Sequence, residues 1–590
     1  MFGPVFYREA AVSPKRSRTY LARGIYVAAL FLLLCTGYLV LDGSRTLATT
    51  SDAAKFGGFM FSLLAPLQLL VLSSLAAVGA ASSVAQEKDR RTLILLLLTR
   101  LTGFEVVGGK LSSTLLSPLS MLVCGLPLFL TLPLLGGVSP QQIFGVFAVT
   151  AATIVLAGTV GTVMGLWREK TFQAIALTVL SLLMILGIGE ALARVLPVSA
   201  PVRLAVSPTR ALVAAASPLS SLSADTALGV VLFVAFTLLS SAALLIFGVW
   251  KVRIWNPSRE VRFKAPEPES SEDVVTGTAD PSSWKVRQPR SVWSNPILWR
   301  EVRTWAYGRK VIIIRVTFVA LFAIVAAGIS WQVRTGVAME PGGRIDRALP
   351  AATIPLAALG VVSLVLVNAL AVNSVTGERD GLALDLLLVT DLSPREFVFG
   401  KMLGVLYVGK EMIVLPILLL IYLAVANVVT VENTVYAVLG AISLYIFVTM
   451  LGIHSGLNYV AGRAATLASL GTVFFLCVGI AICMTIMVSF RGAFQLQLAP
   501  FLVMILGGGA ALFASLGWRN PSSAIFAASF FLPLITFYAI TQFLLQIDHL
   551  YVMAAVVTGY GFAVAAMMVP ALSEFDVCLE QERSGGGESG

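Results

Sequence analysis

Long apolar stretches recur along the whole chain, and short polar segments separate them. A membrane-spanning helix needs about 20 mostly apolar residues, so these stretches predict spans. Six predicted spans lie near 24–41, 59–85, 111–135, 142–166, 172–192 and 226–250. Eight more lie near 312–331, 351–375, 402–427, 434–459, 466–490, 498–516, 523–545 and 550–572. The pattern predicts an all-α polytopic membrane protein with about 14 spans, or about 12 if two of the last three runs form a re-entrant hairpin.

The composition supports this class of protein. The chain is 57% hydrophobic and 12% charged, whereas a soluble domain has about 25% charged residues. Lys and Arg collect in cytoplasmic loops, so the net charge of +10 indicates topology and not nucleic-acid binding. Basic segments at 1–23, 86–110 and 251–264 predict that both termini and the 86–110 segment are cytoplasmic in a bacterial inner membrane. The five Cys residues form neither a disulfide framework nor a paired metal-ligand spacing.

The chain repeats itself around a polar linker. "GPVFYRE" (3–9) is echoed by "NPILWRE" (295–301), and the residues 87–110 match 378–401 at 12 of 24 positions without gaps. We therefore predict an internal duplication. The predicted divisions are a first membrane domain (1–255), a flexible linker (256–293), a second membrane domain with extra spans (294–573) and an acidic, Gly-rich tail (574–590). GxxxG pairs recur at the same offset and predict close helix packing, at Gly161, Gly165, Gly452 and Gly456.

The repeated segment "EKDRRTLILLLLTRLTGFEVVGGK" (87–110) cannot cross a membrane. Its apolar core "LILLLL" would be about 9 Å long as a helix, against roughly 30 Å of hydrocarbon. A short helix of this kind lies on the membrane surface or docks in a protein groove. Ser393-Pro394 in the second copy, and Thr102-Gly103 in the first, predict the start of a new helix. Each segment therefore reads as a helix–turn–helix that returns to the membrane at Gly-Lys.

The shared pattern is Glu-x5-Leu-x2-Leu-Leu-x-Thr-x-Leu-(Ser/Thr)-x2-Glu-x3-Gly-Lys. It resembles the segment between spans two and three of ABC-2 type permeases, the membrane subunits of ATP-binding-cassette exporters. The resemblance implies two ABC-2 exporter-type membrane domains and a coupling helix that docks on a separate ATPase. The residues that match the motif are Glu87, Thr99, Glu105, Lys110, Glu378, Thr390, Glu396 and Lys401. Asp89 and Asp380 join this predicted partner-binding set because they recur in the chain.

No phosphate-binding loop accompanies these segments. Such a loop needs Ser or Thr after Gly-Lys, whereas Gly109-Lys110 is followed by Leu and Gly400-Lys401 by Met. We therefore expect no catalytic residues and no cofactor on this chain. ATP and Mg²⁺ would bind to a separate ABC ATPase, and two coupling segments predict two copies of it.

Four polar residues within the second set of spans form a candidate intramembrane site: Lys410, Glu411, His454 and Asn458. His454 and Asn458 share a helix face, which favours polar helix–helix packing. His454 and Ser455 point about 100° apart, so they do not form a nucleophile–base pair on one helix. Lys410 and Glu411 either mark a transport path or lie at the membrane interface. Asn368 and Glu190 are predicted to mark only the ends of spans.

Three functions are open at this stage. The favoured one is the permease of an ABC exporter, in which the two domains form the translocation path. A membrane scaffold could use the same segments to recruit a cytoplasmic partner without transport. A secondary transporter is third. Such proteins usually carry charged or broken helices at the midplane, and here only Lys410 and Glu411 suggest one. The sequence leaves the transported substrate open.

Overall fold

The computed structural model describes the chain as a set of helices and short turns. The described residues are 4–12, 17–44, 50–89, 92–168, 171–195, 199–217, 224–256, 293–303, 311–336, 352–380, 392–481, 494–517, 521–544 and 549–585. In these ranges no strand occurs. The predicted linker, at 256–293, lies almost wholly outside them.

The helices of the first half (residues 1–255) follow the predicted spans closely. They are α1 (Pro4–Val12), α2 (Ser17–Ser44), α3 (Thr50–Asp89), α4 (Thr92–Leu98), α5 (Gly103–Phe129), α6 (Leu132–Leu135), α7 (Pro140–Trp167), α8 (Thr171–Val195), α9 (Ala200–Ala205), α10 (Pro208–Ala216) and α11 (Ala224–Trp255). The short helices α9 and α10 lie between the fifth and sixth spans and were not predicted.

The second half (residues 294–573) repeats this order and then continues. Its helices are α12 (Pro296–Arg303), α13 (Val311–Arg334), α14 (Thr353–Asp380), α15 (Pro394–Val408), α16 (Lys410–Val425), α17 (Val431–Asn458), α18 (Gly462–Phe474), α19 (Phe494–Leu516), α20 (Ser523–Leu544) and α21 (His549–Gly585). A π-helical turn, Phe475–Gly479, extends α18.

The described residues contain 11 helices that are long and apolar enough to cross a membrane, or 12 if α15 and α16 form one span bent by 57°. Two shorter apolar helices, Ala464–Cys477 and Ile505–Leu516, correspond to the predicted spans at 466–490 and 498–516. The prediction of an all-α polytopic membrane protein is confirmed.

Glycines bring the second and fourth spans of each half into close contact. A Cβ atom at Gly161 would lie 2.5 Å from the Ala77 carbonyl oxygen, and one at Gly452 would lie 2.8 Å from the Asn368 carbonyl oxygen. Gly165 and Gly456 make the next contact along the same helix pairs. Ala77 and Asn368 are 291 positions apart, as are Gly161 and Gly452. The two halves therefore pack these spans in the same register, which is what an internal duplication predicts.

The halves meet along the fifth span of the first half. Helix α8 packs against α13 and α14, and its Phe172, Leu177 and Leu180 are buried in the same apolar cluster as Ile314 and Phe318 of α13. Helix α2 packs against α19, one of the later helices of the second half. The contact between halves is thus apolar and continuous with the core of the second half.

Polar side chains fasten α9 and α10 to the end of the bundle away from α4. Glu190 of α8 accepts hydrogen bonds from Ser207 Oγ (2.7 Å) and Thr209 Oγ1 (2.9 Å), and from Arg210 Nε (3.0 Å) and Nη2 (2.9 Å). Gln142 Nε2 donates to the carbonyl oxygen of Ala216 at 2.8 Å. Glu190 therefore holds α10 against α8, whereas the sequence predicted only that it marks the end of a span.

Candidate partner-binding elbows

Each half turns back on itself between its second and third spans, and we call these turns the first elbow (86–110) and the second elbow (377–401). In the first elbow α3 ends at Asp89, α4 runs over Thr92–Leu98, and α5 begins at Gly103. With seven residues, α4 is about 10 Å long, too short to cross a bilayer. The predicted helix–turn–helix is present in the first elbow.

Both elbows end in the same capping arrangement. Thr102 Oγ1 accepts from the backbone N–H of Glu105, whose carboxylate accepts from the Thr102 N–H at 2.9 Å. Ser393 and Glu396 make the same reciprocal pair in the second elbow, with the corresponding bond at 3.0 Å. Each pair satisfies helix N–H groups that would otherwise have no partner. Glu105 and Glu396 thus fix where the third span begins.

The other recurring charges form ion pairs inside the chain. In the first elbow Lys110 of α5 pairs with Glu87 of α3, and their side chains are 13% and 23% exposed. In the second elbow Lys401 Nζ lies 2.6 Å from Glu378, and the Lys401 side chain is only 1% exposed. Each pair joins the end of the second span to the start of the third. These four charges therefore hold the elbow together.

The second elbow has two further charges that sequence reasoning did not assign to the site. Glu301 of α12 accepts from Lys401 Nζ at 2.6 Å and is 1% exposed. Arg300 pairs with both Glu378 and Glu301. The available signal was the "RE" that ends both "GPVFYRE" and "NPILWRE". A Cβ atom at Gly404 would lie 2.7 Å from Glu301 Cβ, so α12 lies directly on α15.

A basic side chain in each elbow binds the end of the fourth span. Lys88 Nζ donates to the carbonyl oxygens of Leu166 and Arg168, the latter at 2.9 Å. Arg379 Nη1 donates to the Gly456 carbonyl oxygen at 3.0 Å. A cation is stabilising at a helix C-terminus, where carbonyl groups have no intrahelical partner. Lys88 and Arg379 are 291 positions apart and link the elbow to α7 and α17.

The first elbow also carries an exposed apolar surface, formed by Leu95, Leu98 and Phe104, which are 65%, 67% and 51% exposed. Leu93 lies on the other side of α4 and is 3% exposed. It packs in a cluster with buried residues of four spans, namely Val84, Val106, Val107, Leu166 and Val252. Helix α4 is thus held to α3, α5, α7 and α11 on one side and displays large apolar side chains on the other.

Of the remaining predicted partner-binding residues, only Thr99 has a described side chain. Thr99 is exposed, and its hydroxyl donates to the Leu96 carbonyl oxygen at 2.6 Å, which ends α4. Thr390 lies outside the described residues, as does the segment 381–391. Of Asp89 and Asp380 only the helical backbone is described.

The polar residues within the second-half spans separate into two structural roles. His454 Nε2 and Asn458 Nδ2 of α17 lie 2.9 Å and 3.1 Å from the carbonyl oxygen of Leu516. These two residues therefore join α17 to the end of α19, as polar helix–helix packing predicts. Within the described ranges, no three His, Cys, Asp or Glu side chains lie close enough together to bind a metal ion.

Lys410 and Glu411 begin α16 after a break at Gly409. The Met412 N–H bonds to the Gly409 carbonyl oxygen at 2.9 Å, and Arg315 Nη2 donates to the Val408 carbonyl oxygen at 2.8 Å. Arg315 Nη1 also lies 3.4 Å from Glu411. Arg315 of α13 thus bonds to a carbonyl oxygen before the break and pairs with a carboxylate after it. Lys410 is exposed, and its ammonium group lies over the Tyr407 ring.

Asn368 departs from its predicted role. It lies in the middle of α14 and is fully buried, so it does not mark the end of a span. Its Nδ2 donates to the Val448 carbonyl oxygen at 2.9 Å, and its Oδ1 accepts from Ser469 at 2.9 Å. Asn368 therefore connects α14, α17 and α18. The prediction was wrong because an Asn lowers the local hydropathy equally whether it ends a span or bonds to a neighbouring span.

The fold and the elbows define an all-α integral membrane protein whose halves carry equivalent polar elbows. In comparisons with known proteins, no family model matches this chain and no curated protein matches it either. Its function is therefore inferred from the elbows themselves.

Proposed function

We propose that this chain is the permease subunit of an ABC-2 type ABC exporter, and that its elbows bind a separate ABC ATPase. The observation that carries the proposal is the exposed apolar surface of the first elbow, Leu95, Leu98 and Phe104. Large exposed apolar side chains mark protein or membrane contact surfaces, and we take these three as a protein contact because they lie on a polar elbow. The exposed Leu residues of α4 would supply the apolar side chains that a docked helix inserts into a groove of the partner.

The buried contacts of α4 suit it to transmit a displacement from a partner to the membrane spans. Leu93 packs with residues of α3, α5, α7 and α11, and packed interiors have low compressibility and transmit displacement. The Glu87–Lys110 pair and Lys88 add polar links to the same spans. A partner that displaces α4 would therefore move these spans as a group. The apolar contact of α8 with α13 and α14 would then be the place where a path between the halves opens.

The distribution of charge supports a cytoplasmic position for the elbows. Basic residues surround the first elbow, including the exposed Arg100 and the Arg253 side chain that donates to the Leu101 carbonyl oxygen. Lys and Arg are enriched on the cytoplasmic side of membrane proteins. The elbows, both termini and two ATPase copies carrying ATP and Mg²⁺ would thus lie on the cytoplasmic side of a bacterial inner membrane.

The test is binding and stimulation of an ABC ATPase encoded beside this chain, using the purified full-length protein in lipid nanodiscs. The variant Leu95→Asp/Leu98→Asp should lose ATPase binding, because two carboxylates would have to enter an apolar groove. Reversing Glu87 or Glu378 is a poorer test, since either change breaks an ion pair within this chain. The matched control is Val202→Asp/Val213→Asp, at exposed apolar positions of α9 and α10 (41% and 67% exposed) remote from the elbows, which should bind normally.

The outcomes separate the proposed function from its rival. Stimulated ATP hydrolysis with the wild-type chain and loss of both binding and stimulation in the elbow variant support the permease. Binding without stimulation identifies a membrane scaffold. Equal binding by the elbow variant and its control removes the basis of the proposal.

A further inference from the structure

The second half contains a cavity of about 360 Å³ at the end of the bundle away from the elbows. Residues of α14, α16, α17, α20 and α21 line it, together with the π-helical turn after α18. Its lining on α14 runs from Leu356 to Leu364, which places it about 21–33 Å along the helix from Glu378. The helices α20 and α21 belong to the three apolar runs that stand where the first half has one span. The cavity is therefore separate from the elbows and lies in the region where the second half is longer than the first.

The cavity wall is almost entirely alkyl and aromatic. Its hydroxyl groups are engaged within the protein: Tyr445 donates to Ser363 Oγ at 2.9 Å, and Thr536 donates to the Leu532 carbonyl oxygen at 2.7 Å. Tyr560 OH lies 2.7 Å from Thr536 Oγ1. Each of these hydroxyl hydrogens therefore has an acceptor within the protein. A polar ligand would lose its own hydration and gain little in return, so the cavity favours an apolar occupant.

The cavity is open at a surface that lies within the bilayer. Ala357 at its rim is exposed, and Val361 and Ile417 are half-buried. The adjacent Ile354 and Leu418, also on α14 and α16, are 46% and 51% exposed. Helix α14 is a candidate membrane span and α16 is the second part of the bent span α15–α16, so the molecules in contact with an opening between them would be lipids.

We propose that this cavity binds one acyl chain of a membrane lipid in the leaflet away from the elbows. Its volume is within the range of about 300–1,000 Å³ found for small-molecule sites. Burial of a methylene group is favourable when it leaves water, but a lipid chain is already in hydrocarbon. Selectivity therefore comes from shape and packing within the cavity. The site does not depend on the proposed transport function.

Gly360 offers a direct way to fill the cavity. It lines the wall, and a Cβ atom built on it would have no described atom within 4 Å. Gly360→Leu therefore places a side chain in the open space without a clash at the backbone. Gly328 of α13 likewise has no described neighbour within 4 Å of its Cβ position, and it does not line the cavity. Gly328→Leu is the matched control, because both substitutions remove one glycine from a helix.

The experiment uses the full-length protein in vesicles that contain phosphatidylcholine with a diazirine near the end of one acyl chain. After illumination, labelled residues are mapped by mass spectrometry in the wild type, Gly360→Leu and Gly328→Leu. A second filled variant, Ala441→Leu, changes the wall from α17. Size-exclusion profiles and melting temperatures verify that each variant is folded, and no ATPase is present, so the result is independent of the proposed function.

The proposal expects label on the cavity wall, including Ile417 or Tyr560, in the wild type and in Gly328→Leu. That label should be lost in Gly360→Leu or Ala441→Leu while label on the outer helix surfaces persists. Absence of label on the cavity wall of the wild-type protein overturns the proposal. Unchanged wall labelling in both filled variants overturns it as well.

Discussion

Among the described side chains, the two elbows differ in how deeply their charges are buried and in how many charges take part. In the described part of the first elbow, one pair, Glu87 and Lys110, joins the spans and retains some access to water. The second uses Lys401 with Glu378, Glu301 and Arg300, two acidic and two basic groups, and α12 covers them. The described side chains thus form one partly exposed pair in the first elbow and, in the second, a four-residue network with Lys401 and Glu301 buried at its centre. The side chain at position 9, which corresponds to Glu301, lies outside the described residues.

The largest expected effect comes from removing the central lysine of each elbow. Lys401→Met leaves Glu301 and Glu378 with only Arg300 as a described partner, and breaking a buried ion pair costs about 3–5 kcal/mol of stability. Lys110→Met removes the partner of Glu87, whose side chain is 23% exposed, so its cost should be smaller, about 1–2 kcal/mol. Melting temperatures in nanodiscs provide the comparison, with Lys55→Met, whose side chain is 76% exposed, as the control. Equal losses at Lys110 and Lys401 would contradict the difference in burial.

Exchanging the two charges of each pair sharpens the comparison. Glu87→Lys/Lys110→Glu keeps one opposite-charge pair and should retain most of the wild-type stability. In Glu378→Lys/Lys401→Glu the new lysine faces Arg300 and the new glutamate faces Glu301, so we expect a loss of about 2–3 kcal/mol relative to the first exchange. The measurement is again the melting temperature. Tolerance of both exchanges would show that Arg300 and Glu301 do not fix the sign of the second pair.

The glycine contacts test what the two halves have in common. Gly161→Ala and Gly452→Ala each place a methyl group against the backbone of the second span, and overpacking of this kind costs about 1–3 kcal/mol. We expect similar losses in both halves. Gly440→Ala lies on the same helix as Gly452 and meets no described atom within 4 Å, so it should be neutral or slightly stabilising. A clear difference between the Gly161 and Gly452 variants would argue against equivalent packing.

The smallest expected effect concerns the helix caps. Thr102→Ala and Ser393→Ala should each cost about 1 kcal/mol, the usual value for an N-cap side chain. Amide hydrogen exchange should rise at the backbone N–H of Glu105 in the first variant and of Glu396 in the second. The two increases should match, because the capping distances are the same in both elbows within 0.1 Å. Faster exchange in only one of the two variants would show that the two caps protect their helices unequally.

Several features of these elbows could be predicted from the sequence. Thr102 and Ser393 were expected to begin helices because their side chains, with Glu at the third helical position, are suited to capping. The GxxxG pairs were expected to pack closely because small residues permit it. Lys110 and Lys401 were expected to matter, but only the fold showed that each binds a carboxylate of its own chain.

Other features were beyond sequence reasoning for physical reasons. Arg300 and Glu301 lie about a hundred positions from Lys401 along the chain, and no periodicity shows that they meet in space. The break at Gly409 was missed because a glycine within an apolar run leaves the hydropathy of the span unchanged. Arg315 completes the break from another helix. Asn368 was misread in the same way, since its two partners lie on neighbouring spans.

The sequence alone determined the class of protein, the approximate positions of most spans, the repeated elbow and its caps, because each depends on residues close together in the chain. The tertiary structure decided which carboxylate each lysine binds, how deeply each pair is buried and where a cavity opens. These properties depend on which spans become neighbours. In a membrane almost every span is apolar on all sides, so the choice of neighbours is made by packing contacts that hydropathy does not encode.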